Sequence, residues 1–139
     1  MTAQCFADTN ILLYAGSKDP ADLAKKKIAR QLIASEDIGL SAQVLQEFIV
    51  AAASKKRLGI SASEAKATLG ALLAFPIVPI TAGLVLRAWE IKTRYQISYW
   101  DAAIIAAAKE LGSKVIYSED LSDGQSYAGI TVCNPFART

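Results

Sequence analysis

Read for the alternation of apolar and polar positions, the chain breaks into short hydrophobic runs separated by longer stretches of helical periodicity. Gln4 to Ala7 predicts a first strand, which stops on the polar trio Asp8, Thr9 and Asn10. Those three residue types cap helices, and Ile11 to Tyr14 can begin one. After the Lys18-Asp19-Pro20 turn, a helix is expected from about Ala21 to Ser35, then a brief strand at Ile38 to Leu40. Ser41 caps a helix running to about Lys56. Ser61 and Glu64 have the spacing of a capping box, so a further helix starts there and stops before Pro76. Ile77 to Ile80 predicts the third strand. Thr81 opens a helix in which Leu84, Ala88, Ile91 and Tyr95 share one face and Arg87, Glu90 and Arg94 another. Ser98 caps a helix over Tyr99 to Leu111 that ends at Gly112, and Val115 to Tyr117 and Ile130 to Cys133 complete the strands.

Strands alternating with helices imply a mostly parallel central sheet of four to five strands, covered by helices. No stretch has linker, repeat or low-complexity character, so residues 1–139 are expected to form one domain. With 53% hydrophobic and 20% charged residues, the chain has enough apolar material for a single core. It has neither a run of apolar residues long enough to span a membrane nor the pattern of a secretory leader, so a cytoplasmic protein with no membrane association is expected. Cys5 and Cys133 both fall in apolar strand-like stretches and read as buried thiols.

The chain contains no histidine. That excludes a Ser-His-Asp triad, histidine acid–base catalysis and an ordinary zinc site, and leaves any hydrolytic chemistry to carboxylates. Net charge is only +2, so local basic clusters matter more than the total: Lys25, Lys26, Lys27 and Arg30; Lys55, Lys56 and Arg57; and Arg87, Lys92 and Arg94. Each reads either as a solvated helix face or as a patch for phosphates.

Four of the 13 acidic residues do not behave as surface charges. Asp8 ends a strand at the position where open α/β sheets bind ligands. Glu47 lies three residues from Val44 and four from Ala51, bordering an apolar helix face, where it is either an edge residue reaching for solvent or a functional carboxylate. Asp101 heads the stripe Ile104, Ile105 and Ala108 and points inward, although an S-x-x-D arrangement with Ser98 offers a capping role. Asp120 follows a strand that ends in acids as the first one does, with Glu119 and Asp123 nearby and turn chemistry around Ser122, Asp123 and Gly124.

Should these four meet at one edge of the sheet, carboxylates about 5 Å apart would repel by roughly 3 kcal/mol per pair, and four by on the order of 10 kcal/mol or more. That rivals the roughly 5 to 15 kcal/mol net stability of a domain. A hard divalent cation, magnesium or manganese, relieves the repulsion while keeping every oxygen as a ligand. Such an all-oxygen site suits metal-assisted displacement at phosphorus, and the lack of a Walker-type Gly-Lys motif favours phosphodiester hydrolysis over nucleotide-driven chemistry.

Asp8-Thr9-Asn10 after the first strand, Glu47 after "LSAQVLQE", "YWDAAIIAAA" around Asp101, "YSEDLSDGQ" and the closing "ITVCNPF" together resemble the PIN-domain ribonucleases, especially the VapC-type toxins of type II toxin-antitoxin pairs. The likeness runs the length of the chain. It implies a PIN-like three-layer α/β/α sandwich and a Mg2+- or Mn2+-dependent endoribonuclease acting on single-stranded or looped RNA, such as a tRNA or rRNA loop. By position, Asp8, Glu47 and Asp101 match the family's metal-site acids and Asp120 its more variable fourth, a role that Glu119 or Asp123 could also fill. Thr9, Asn10 and Ser118 match residues that orient those acids. The resemblance further implies a homodimer and a cognate antitoxin. The "AFPIVPI" stretch, the Leu58 to Leu73 region and Trp89 offer apolar surface for partners, with core packing the leading expectation.

Lys55, Lys56 and Arg57 are the first choice for positioning an RNA backbone. Trp100 is expected to pack in the interior, with stacking on an unpaired base as the alternative. A non-catalytic PIN-fold module that binds RNA or protein would be favoured by loss of one acid, and all four are present. An aspartyl-phosphate phosphatase wants a second acid two residues after the first, where Asn10 stands. A receiver domain needs a neighbouring acid pair that Ala7-Asp8-Thr9 lacks.

Overall fold

A computed structural model describes residues 1–137. Five short parallel strands form the sheet: β1 (Cys5–Ala7), β2 (Ile38–Ser41), β3 (Ile77–Val78), β4 (Val115–Tyr117) and β6 (Ile130–Cys133). A two-residue strand, β5 (Ser126–Tyr127), pairs antiparallel with β6, and the order is β3-β2-β1-β4-β6-β5. Six α-helices cover it: α1 (Thr9–Gly16), α2 (Leu23–Ser35), α3 (Ala42–Ser54), α4 (Ala62–Leu72), α5 (Ala82–Tyr95) and α6 (Tyr99–Glu110). The α/β sandwich is the one expected.

Five of the six α-helices begin where a side-chain oxygen caps them; α2 does not. Ser41, Thr81 and Ser98 each accept from the backbone N–H three residues on, and Ser61 with Glu64 closes a full capping box. Three boundaries differ from expectation for local reasons. Pro20 opens a 3₁₀ turn (Pro20–Asp22), which delays α2 to Leu23. β3 ends at Val78 because Pro79 has no N–H for the ladder, which leaves Ile80 exposed. α3 ends at Ser54, and a 3₁₀ turn (Lys56–Leu58) follows, closed by Gly59 in the left-handed region.

β5 carries no sequence signal because its hairpin turns on Ala128 and Gly129, both at positive φ, in place of the usual Asn-Gly. The Tyr95 hydroxyl accepts from the Ala128 N–H at 2.7 Å and braces this turn.

Steps from β1 to β2 to β3 run one way across the sheet, and the chain then returns to β4 and continues to β6. Right-handed crossovers in opposite directions put helices on opposite faces. Accordingly α1 packs on α2 and α3, while α5 packs on α6 and α6 lies over β2, β4 and β6. Leu111, just past α6, sits directly over Gly39, the buried partner of Phe6. Because β1 and β4 are neighbours whose onward connections diverge, their carboxyl ends open at the switch point where such sheets hold ligands. Cys5 is buried and Cys133 half-buried. Among the described residues no helix is long and apolar enough to cross a membrane.

Candidate metal centre

Asp8 leaves the end of β1 and does two things. It is the N-cap of α1, with Oδ1 accepting from the Thr9 N–H at 2.8 Å, and its Oδ2 accepts from Ser118 Oγ at 2.7 Å across the switch point. Its backbone N–H donates to the Tyr117 carbonyl at 2.9 Å, which locks the ends of β1 and β4 together. Ser118 Oγ in turn accepts from the backbone N–H groups of Asp120, at 3.1 Å, and Leu121, at 3.2 Å. Cap and site are therefore the same carboxylate.

A cleft of about 270 Å³ opens at this edge, and Asp8, Glu47, Asp101 and Asp120 all line it, with Thr9, Asn10, Gln43, Lys55 and Trp100. Glu47 projects from α3 and accepts from Thr9 Oγ1 at 2.7 Å. Asp120 accepts from Asn10 Nδ2 at 3.1 Å, and Asn10 Oδ1 also accepts from the Glu119 N–H at 3.3 Å. Asp101 stands in the first turn of α6 and receives a cap bond from Ser98 on its N–H, but its carboxylate does not close a box as Glu64 does. Its side chain, with Ile104 one turn on, faces the cleft.

Burial pushes the Asp8 carboxyl up to about 6. The bonds from Ser118 and Thr9 oppose this, and the nearby charges of Asp120 and Glu47 reinforce it. Asp8 is 7% exposed, while Glu47 and Asp120 are open to solvent, so one buried and two accessible acids face one space. None of the four makes an ion pair among the described residues.

Among the described residues no three carboxylate or other metal-binding side chains are gathered into a tight coordinating group. The acids share the cleft while Ser118, Thr9 and Asn10 hold three of them with hydrogen bonds. The donor set nevertheless fits a hard divalent ion: it is all oxygen, anionic, without cation partners, and supplied by four separate elements.

The alternatives to Asp120 are engaged elsewhere. Glu119 accepts from Tyr14 Oη at 2.6 Å and pairs with Lys25 at 2.5 Å. Burial opposes its ionisation, but these two donors outweigh burial and hold its carboxyl below the ordinary range. Asp123 accepts from the Asn134 N–H at 2.9 Å.

The three basic residues of the second cluster separate. Lys55 lines the cleft, Lys56 borders an apolar groove between α3 and α4, and Arg57 is tied to Asp19 at 3.1 Å and Asp22 at 2.7 Å. Arg57 is thus a structural tether for the turn before α2. Lys25, Arg30 and Arg87 are likewise committed, to Glu119, the Ala15 carbonyl and Glu110.

Trp100 is 65% exposed at the cleft rim, with Tyr99 edge-on to its ring at 5.1 Å, so the expectation of interior packing is corrected. The start of α6 points this ring outward because Asp101 and Ile104 take the inward positions. Trp89, Ile80 and Leu73 are also exposed, whereas Leu58, Leu72 and Val78 enter the core.

Gln43 was not legible as a site residue. Its buried amide donates to the Trp100 carbonyl at 3.3 Å and joins α3 to the start of α6 beside the acids. Its one available signal is the i, i+4 spacing to Glu47, which puts both on one helix face.

No curated protein matches the chain significantly. Solved structures do. A toxin-antitoxin complex from Klebsiella pneumoniae is 22% identical, with a TM-score of 0.68 over 95% of this chain and 98% of that one. VapC20 from Mycobacterium tuberculosis, a toxin that cleaves the sarcin-ricin loop, is 22% identical with a TM-score of 0.66 over 91% and 98%. FitAB bound to a DNA fragment is 19% identical, with a TM-score of 0.68 over 94% of each chain. At these identities the likeness is one of fold. The PIN domain model matches residues 5–122, the whole span from β1 to the loop carrying Asp120, and the chain therefore belongs to the PIN domain family.

Proposed function

We propose that this chain is a divalent-metal-dependent endoribonuclease that hydrolyses RNA phosphodiester bonds, and the toxin of a VapC-type toxin-antitoxin pair. The observation that carries the reading is the convergence of four carboxylates without cation partners on one cleft at the switch point of a PIN fold. The similar folds of a toxin-antitoxin complex and of an RNA-cleaving toxin support it.

Asp8, Glu47, Asp101 and Asp120 would hold Mg2+ or Mn2+, which when bound supplies an activated water and neutralises charge developing on the phosphate. Thr9, Asn10 and Ser118 orient the acids through the bonds already described. Lys55, at the mouth of the cleft, meets the phosphate backbone, and exposed Trp100 offers a face to an unpaired base. The substrate is an RNA loop of the tRNA or rRNA kind.

An antitoxin fits the groove of about 450 Å³ among α1, α2 and α4, where Leu12, Ile33, Leu72 and Phe75 form an apolar floor, Lys26 and Arg30 stand on the rim, and Lys18 is paired with Glu64. Such a groove takes an amphipathic segment with acidic residues. Exposed Val85, Leu86 and Trp89 on α5 suit a second copy of the chain.

The test is cleavage of a looped RNA with Mg2+ or Mn2+ by the purified protein and by Asp8→Asn. The variant is expected to lose about a hundredfold or more in rate while still binding RNA. Equal cleavage by the variant would reject the assignment. RNA binding by the unaltered protein without cleavage in either metal would make it a non-catalytic PIN module.

A further inference from the structure

The segment after β4 sends consecutive side chains in opposite directions. Asp120 enters the cleft, while Glu119 turns toward α1 and α2, where each of its carboxylate oxygens has its own donor: Tyr14 Oη on Oε1 at 2.6 Å and Lys25 Nζ on Oε2 at 2.5 Å. Lys25 also donates to Tyr14 Oη at 3.2 Å and lies over the rings of Tyr14, at 4.8 Å, and Phe136, at 5.7 Å. Tyr14 meets Phe136 edge-on at 5.0 Å. The ion pair is thus enclosed by aromatic rings and half shielded from solvent, which strengthens it relative to a surface pair.

The same two residues are gripped from the cleft side by Asn10, whose amide donates to the Asp120 carboxylate and accepts from the Glu119 N–H. We propose that Glu119 is a positioning residue: anchored by Lys25 and Tyr14, it fixes the backbone that presents Asp120 to the metal cleft. This rests on the reading of that cleft as a divalent-ion site. Asp120 is the acid most in need of such support. It sits on a loop beyond a three-residue strand, is exposed, and has Asn10 as its side-chain donor among the described residues. Asp8, by comparison, is the N-cap of α1, and Asp101 stands in the first turn of α6. Glu119 is the residue that joins this enclosure to the loop bearing Asp120.

The experiment is calorimetric titration of Mn2+ into the full chain, with thermal unfolding to confirm that each variant is folded. Glu119→Gln and Lys25→Met are each expected to weaken Mn2+ binding about tenfold, and Lys25→Arg to restore it. Tyr14→Phe, which leaves the ion pair in place, is expected to weaken it less and serves if the others unfold. Adding Glu119→Gln to Asp120→Asn is expected to cause no loss beyond that of Asp120→Asn alone, because both act through one ligand. Wild-type affinity in folded Glu119→Gln, or losses that multiply in the double variant, would overturn the proposal while leaving the metal site standing. Mn2+ uptake unchanged by Asp8→Asn, or absent from the unaltered chain, would overturn the metal site and this proposal together.

Discussion

Asp8 shows how one residue carries both a fold and a site. Its carboxylate caps α1, joins β1 to the loop after β4 through Ser118, and is pushed up to about 6 chiefly by burial. Between about 4 and 6 the unfolded chain has released this proton while the folded, metal-free chain keeps it. Stability of the metal-free protein should therefore fall as pH rises through that window, by roughly 3 kcal/mol in all. Urea unfolding across the window should show this slope, and Asp8→Asn should flatten it. An ion bound at Asp8 must displace the same proton, so Mn2+ affinity should fall about tenfold per pH unit below about 6. Ser118→Ala removes a donor to Asp8 and the acceptor of two N–H groups, and should destabilise the fold by about 1–3 kcal/mol in urea. Asp8 stood out in the sequence because it ends an apolar strand, and Asp101 because it heads the apolar stripe of Ile104, Ile105 and Ala108. The Asn10–Asp120 and Tyr14–Glu119 bonds join residues more than a hundred positions apart, and no local signal could have shown them.

At the scale of elements, the helices α3 to α6 were legible because their starts are written in Ser and Thr caps, and their faces in 3.6-residue periodicity. The core positions Leu84, Ala88 and Ile91 of α5 are as the pattern requires. What the pattern could not convey is how much apolar surface remains outside, since Val85, Leu86 and Trp89 on the same helix are exposed. Strand limits were less legible because these strands are two to four residues long and end on backbone chemistry, as β3 does at Pro79. Close packing between elements is tested at Gly39. A Cβ there would lie 2.5 Å from Leu111 and 2.9 Å from the Ala3 Cβ, so Gly39→Ala should cost about 1–3 kcal/mol, read as a lowered urea midpoint. The turn before β6 makes the opposite prediction. Ala128 sits at φ 52, and Ala128→Asn should stabilise the protein by roughly 0.5–1 kcal/mol.

For the whole molecule, the alternation of strands and helices was enough to infer a helix-covered parallel sheet, but not its order. Order depends on which way each crossover steps, and here the return from β3 to β4 creates the opening that the acids share. If the substrate is RNA as proposed, a net charge of +2 leaves its attraction to local cations, and Lys55 lines the cleft wall. Lys55→Ala should weaken RNA binding in chelator about equally for all sequences and reduce its salt slope by about 1. The central claim is that the converging carboxylates of this PIN fold form a divalent-ion site. Its most direct test is calorimetric titration of Mn2+ near neutral pH into the unaltered chain and into Asp8→Asn. Saturable binding that the substitution abolishes is the predicted result; no heat with the unaltered chain, or the same isotherm for both, would contradict it.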